Sequence, residues 1–169
     1  MKVWSKGKKS VALLAAVILM GAFPGCSQVV QPPPEPVWTL EETPCVAMMS
    51  GVEIRGEWRR SLEGIHEFEV EAPKEMAGMQ VQSLQGSYTL SLEGLTAERS
   101  GKIMENSVFG RLFLAMDGAA AGNLLWENGV WMGRLPGGEG VSIEVDDEGK
   151  LLTLSVPVWQ LTVRFSQEG

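Results

Sequence analysis

His66 is the only histidine in the 169 residues, so any Ser–His–Asp relay in this chain would need it as the base. It alternates with Phe68 and Val70 on one face of an extended segment, and that placement suits a satisfied core histidine better than a base. No Gly-x-Ser-x-Gly elbow accompanies it. One histidine cannot build a His-rich zinc site. Glu67, Glu69 and Glu71 offer the paired carboxylates that glycoside hydrolysis uses. They recur at every second residue, roughly 6–7 Å apart along a strand, and so read as its solvated face. Asp146-Asp147-Glu148 gathers hard oxygen ligands without the twelve-residue loop of an EF-hand. Gly137, Gly138 and Gly140 make a loop with no Lys-Ser/Thr after it, unlike a phosphate cradle. The expectation is a protein that is not an enzyme, with no catalytic residue, no metal and no cofactor.

The two cysteines carry a different chemistry. Cys26 follows Leu19-Met20-Gly21-Ala22-Phe23-Pro24-Gly25, with Lys2, Lys6, Lys8 and Lys9 upstream. A basic start, a short apolar run and a small residue before a cut describe a secretory signal peptide. The string resembles a bacterial lipobox. The apolar run Val11–Phe23 is 13 residues, whereas a spanning helix needs about 20. Residues 1–25 are therefore expected to be a lipoprotein signal peptide, and Cys26 the lipidated mature N-terminus. Diacylglyceryl and acyl chains on Cys26 would hold the protein to the extracytoplasmic face of the cell membrane. A plain cleaved signal and an uncleaved anchor are the alternatives. Cys45 is expected to be a buried, small hydrophobe; it could pair with Cys26 only if Cys26 carried no lipid.

The formal charge is −7, and removal of residues 1–25 takes four lysines with it. An acidic body excludes nucleic acid as a partner. It also disfavours electrostatic adhesion to anionic headgroups. Residues 26–45 read as a lipidated, proline-rich tether. Pro32-Pro33-Pro34-Glu35-Pro36 favours polyproline II at about 3.1 Å per residue. Val37-Trp38-Thr39-Leu40 is the first stretch expected to dock on a domain covering residues 46–169.

Those residues are positioned by strands. His66–Glu71, Tyr88–Glu93 and Trp159–Phe165 alternate apolar and polar, which marks antiparallel sheet with one wet face. Asn128-Gly129 predicts a two-residue hairpin. Asp147-Glu148-Gly149, Gln85-Gly86 and Arg60–Gly64 predict three further reversals, and Pro157 predicts a bend or bulge in the last run. One segment has helical spacing instead. Val108, Phe109, Leu112, Phe113 and Met116 form an apolar stripe, capped by Asn106 or Ser107 and ended by Asp117-Gly118. The fold class is mainly β with one short helix.

Phe109, Leu112, Phe113 and Met116 on that helix, with Trp126, Trp131 and Trp159 in the C-terminal strands, have two readings. They are a filled core, or they line a cavity for a lipid acyl chain or another apolar ligand between helix and sheet. A filled core would leave an interaction module for a cell-envelope protein partner.

The order of elements resembles a known group. Extended strands lead into Phe68-Glu69-Val70-Glu71-Ala72-Pro73-Lys74-Glu75-Met76-Ala77-Gly78-Met79; then come a hairpin carrying Tyr88–Leu95, a helix, and hairpins ending in Trp159–Phe165. Over about residues 46–166 this is similar to the LolA/LolB-like lipoprotein carrier superfamily, most of all to its small Firmicutes lipoproteins of the GerS-like germination type. The resemblance implies a curved antiparallel half-barrel with the helix over its concave face. It also implies acyl-chain binding on that face.

Overall fold

The computed structural model describes residues 34–84 and 86–166. The expected signal peptide, the lipidation site Cys26 and the tether up to residue 33 lie outside the described residues, as does Gln85.

Eleven strands form one open sheet: β1 (Leu40–Met49), β2 (Val52–Arg60), β3 (His66–Ala72), β4 (Gln80–Leu84), β5 (Ser87–Leu92), β6 (Leu95–Ser100), β7 (Leu125–Glu127), β8 (Val130–Arg134), β9 (Gly140–Val145), β10 (Leu151–Val156) and β11 (Leu161–Phe165). The spatial order is β6-β5-β4-β3-β2-β1-β11-β10-β9-β8-β7, and every neighbouring pair is antiparallel. All neighbours but one are joined by local reversals. The exception is β1 with β11, which brings the two ends of the domain together at the centre of the sheet. A single-turn helix α1 (Gly101–Met104) and the longer α2 (Val108–Ala121) separate β6 from β7.

The expected period of two is present. In β3, His66, Phe68 and Val70 are buried while Glu67, Glu69 and Glu71 are exposed or nearly so. Leu161, Val163 and Phe165 are buried in the same way in β11. At the expected hairpin Asn128 (φ 52°) and Gly129 (φ 90°) both take the left-handed conformation, whose twist matches that of the flanking strands. Ser50-Gly51 and Glu93-Gly94 turn the chain in the same shape. Gly56 answers a different need. A Cβ there would lie 2.0 Å from the Glu69 carbonyl oxygen, at the point where the β2–β3 register shifts.

Ser107 caps α2, its hydroxyl accepting a hydrogen bond from the Gly110 N–H at 3.0 Å. The helix buries Phe109, Leu112, Phe113 and Met116. Phe113 stacks on His66 at 4.5 Å and meets Trp58 at 5.6 Å, and Phe109 meets Phe68 edge-on at 5.5 Å. Each such ring removed from water contributes roughly 1.5–3 kcal/mol.

Three expectations are corrected, and one strand is added. Asp117-Gly118 does not end the helix, which runs on to Ala121. Gly118 is needed inside it, because a Cβ there would come within 2.9 Å of Leu135. Trp159 is not in a strand but in a 3₁₀ turn, Pro157–Trp159, closed by left-handed Gln160. Pro157 brings no N–H to a ladder, so the chain kinks there before β11. The domain begins before Val46, since Leu40–Cys45 already belong to β1. Ahead of it, the Val37 N–H bonds to the Gly149 carbonyl at 2.8 Å, which docks the stretch that was expected to dock. Finally, β6 had no counterpart in the sequence pattern. It is an edge strand with nearly every residue exposed, so neither face selects for apolar side chains.

Candidate functional site

A chain of polar contacts crosses the interior from β2 to α2. Trp58, on β2, donates its indole N–H to Nδ1 of His66 at 3.1 Å. An indole only donates, so Nδ1 is an acceptor and the ring proton sits on Nε2. That nitrogen donates to Oδ1 of Asp117 on α2 at 3.0 Å. Arg60, two residues beyond Trp58 at the end of β2, grips the same oxygen with Nε (3.2 Å) and Nη2 (2.8 Å). Its Nη1 donates to the Trp38 carbonyl at 2.9 Å, which ties in the segment before β1.

Local structure explains the convergence. Trp58 and His66 lie on the buried side of adjacent strands. His66 is 0% exposed, clamped between Trp58 and Phe113. On α2, Asp117 follows Phe113 by four residues and Phe109 by eight, so it falls in line with the apolar stripe. The helix therefore delivers a carboxylate to the edge of the buried ring cluster.

Burial pushes the Asp117 carboxyl up, but the hydrogen bond from His66 and the hydrogen bonds and charge of Arg60 outweigh that and hold it below its usual range. All three donors take Oδ1. Among the described residues Oδ2 has no partner, and it is open to solvent, the Asp117 side chain being 48% exposed.

Two grooves meet at Asp117. One, of about 700 Å³, has walls from Val37, Trp38, Leu62, Ala120 and Ala121, with Arg60 and Glu63 also lining it. The other, of about 390 Å³, runs past Leu114, Leu135, Pro136 and Trp159. In it, the Arg111 guanidinium lies 4.4 Å from the centre of the Trp159 ring, within cation–π range.

Of the seven residues singled out as cavity candidates, Phe109, Leu112, Phe113 and Met116 belong to one core cluster, and Trp131 and Trp159 pack against it. Phe109, Leu112, Phe113 and Met116 are all buried in the core, at most 5% exposed. Trp126 and Trp131 are cross-strand partners on β7 and β8, near one edge of the sheet, with ring centres 5.6 Å apart. Among the described residues the buried Nε1 of Trp131 has no hydrogen-bond partner. Trp159 stands on its turn against Arg111.

The other candidates are engaged structurally. Glu67 faces Arg59 at 3.7 Å and accepts from Gln82 at 3.0 Å. Asp146 Oδ1 accepts from the backbone N–H groups of Glu148 and Lys150, an Asx turn that shapes the β9–β10 reversal. His66 has both ring nitrogens occupied and presents neither lone pair nor proton to solvent. Cys45 is buried, and burial together with the Glu71 charge pushes its thiol up to about 12. Among the described residues no group of His, Cys, Asp and Glu side chains is arranged to hold a metal ion.

Arg60 and Asp117 were missed in the sequence. Their signal was a polar residue in helical register with Phe109 and Phe113, to be matched against a polar residue on the apolar face of a strand.

No protein-family model matches this chain, and no curated protein matches it.

Proposed function

We propose that the protein is a lipid-anchored, extracytoplasmic, non-enzymatic lipoprotein of LolA-like half-barrel form, acting as a docking module for another envelope protein. The observation that carries this reading is the filled space beneath α2. Trp58, Phe68, Leu112, Phe113 and Met116 are each at most 1% exposed, and their rings are in mutual contact. Side chains of the domain itself occupy the place where a carrier would hold an acyl chain. The working surface is then outside, and the grooves beside Asp117, one of them about 700 Å³, are part of its relief. The lipobox-like string before Cys26 supports the anchor.

Native mass spectrometry of the full mature chain, extracted without added lipid, tests this. The expected species carries diacylglyceryl on Cys26 and no further ligand. A second lipid, held noncovalently at one per chain, would replace docking by carriage. Cys26→Ala should move the protein from the membrane to the soluble extracytoplasmic fraction; persistence on the membrane would remove the anchor from this reading.

A further inference from the structure

The larger groove has a chemistry of its own. Its apolar walls come from Val37, Trp38, Leu62, Ala120 and Ala121, and Thr39 and Ser83 add two hydroxyls. Its charged groups are Asp117, Arg60 and Glu63. Arg60 is largely engaged: Nε and Nη2 are on Asp117 and Nη1 is on the Trp38 carbonyl, which takes three of its five N–H groups. Arg60 offsets one carboxylate, and Glu63 leaves the groove with a net negative charge. Among the described residues, Glu63 is itself fixed only by the Ser61 hydroxyl at 3.1 Å.

Three classes of guest can be weighed. An anion would meet two carboxylates and a single guanidinium whose charge Asp117 already balances. A purely apolar guest would bury Oδ2 of Asp117 without a partner, costing about 1–3 kcal/mol or more for a charged oxygen. A guest with an apolar stem and a cationic, N–H-bearing tip satisfies both walls and floor, and its charge-assisted hydrogen bond is of the stronger kind.

We infer that this groove receives the Lys or Arg side chain of a protein partner, its methylenes against Trp38, Leu62 and Ala121 and its charged tip on Oδ2 of Asp117. The long side chains of Lys and Arg habitually lay their stems on apolar surface in this way. A groove of about 700 Å³ also admits the neighbouring residues of that partner. This specifies the partner chemistry for the docking reading above and rests on it for the source of the cation.

The site is tested apart from any partner by a ¹⁵N–¹H NMR titration of the full mature chain carrying Cys26→Ser. The probes are n-butylammonium, n-butanol and butyrate. Butylammonium should shift the amides of Gly64, Gly86, Ala120 and Ala121 saturably, and the other two should not. Glu63→Gln should weaken this binding about two- to five-fold, as loss of an exposed charge does. Ala121→Trp, at an exposed position, should abolish it while the remaining spectrum persists. Equal shifts with butanol or butyrate, no shifts with any probe, or binding indifferent to both substitutions overturns the site. If butylammonium binds as described but a photocrosslinker at Leu62 captures no partner that Ala121→Trp then releases, the docking reading fails and the cation site stands.

Discussion

Trp58 hands its indole proton to His66 across 3.1 Å, with both side chains 0% exposed. The only histidine of the chain is thereby locked into one tautomer by a neighbouring strand, and it serves as a strut between sheet and helix.

That lock is visible by NMR. Long-range ¹H–¹⁵N correlation should show His66 with its proton on Nε2 and a bare Nδ1. Trp58→Phe should remove the preference and destabilise the fold by about 1–3 kcal/mol, since it leaves a buried acceptor unpaired. A ring protonated at Nδ1 in the unmodified protein would contradict the geometry.

Asp117 sets the acid response. Its carboxyl is held below the usual range in the folded chain, so the unfolded chain binds the proton more readily. Its contribution is complete above the unfolded value of about 3.9 and is lost as pH falls through the lower folded value. Urea midpoints measured between pH 6 and 2 should fall at the acid end. In Asp117→Asn the fall over that window should be shallower, on top of a lower plateau at pH 6. Identical acid limbs in the two proteins would assign the effect elsewhere.

Cys45 should be chemically silent. Burial pushes its thiol up to about 12, and the thiolate is the reactive form. A disulfide reagent at pH 8 should label it in urea and leave it untouched in buffer. Stability should also decline above about pH 9, where the unfolded thiol ionises and the folded one does not. Rapid labelling in buffer would mean that β1 opens on that timescale.

Gly56→Ala should cost at least about 3 kcal/mol, beyond ordinary overpacking. The new methyl would strike a backbone carbonyl 2.0 Å away, that of Glu69, which cannot swing aside as a side chain could. Gly129→Ala meets no atom within 4 Å but must hold φ at 90°, so it should cost less, about 1–2 kcal/mol. Thermal unfolding of the pair orders the two effects; equal losses would argue against the close strand approach.

How much was legible follows from where each residue's environment is made. His66, Phe68 and Val70 could be read because one buried face imposes a period of two on β3. Asn128-Gly129 could be read because the turn is decided locally. Asp117 could not, because its partners His66 and Arg60 lie 51 and 57 residues away and no local rule couples them. Gly118 read as a terminator because its reason for being glycine, the Leu135 side chain, belongs to another element. Leu95–Ser100 escaped because an edge strand wet on both faces leaves no trace in hydropathy.

The central place of β1 has a mechanical corollary. The chain enters the domain through this strand, held between β2 on one side and β11 on the other. Tension applied at Pro34 is directed along β1 and loads both ladders in shear. Their hydrogen bonds share the force and do not peel one at a time. A domain pulled by its leading end is thus gripped at its middle.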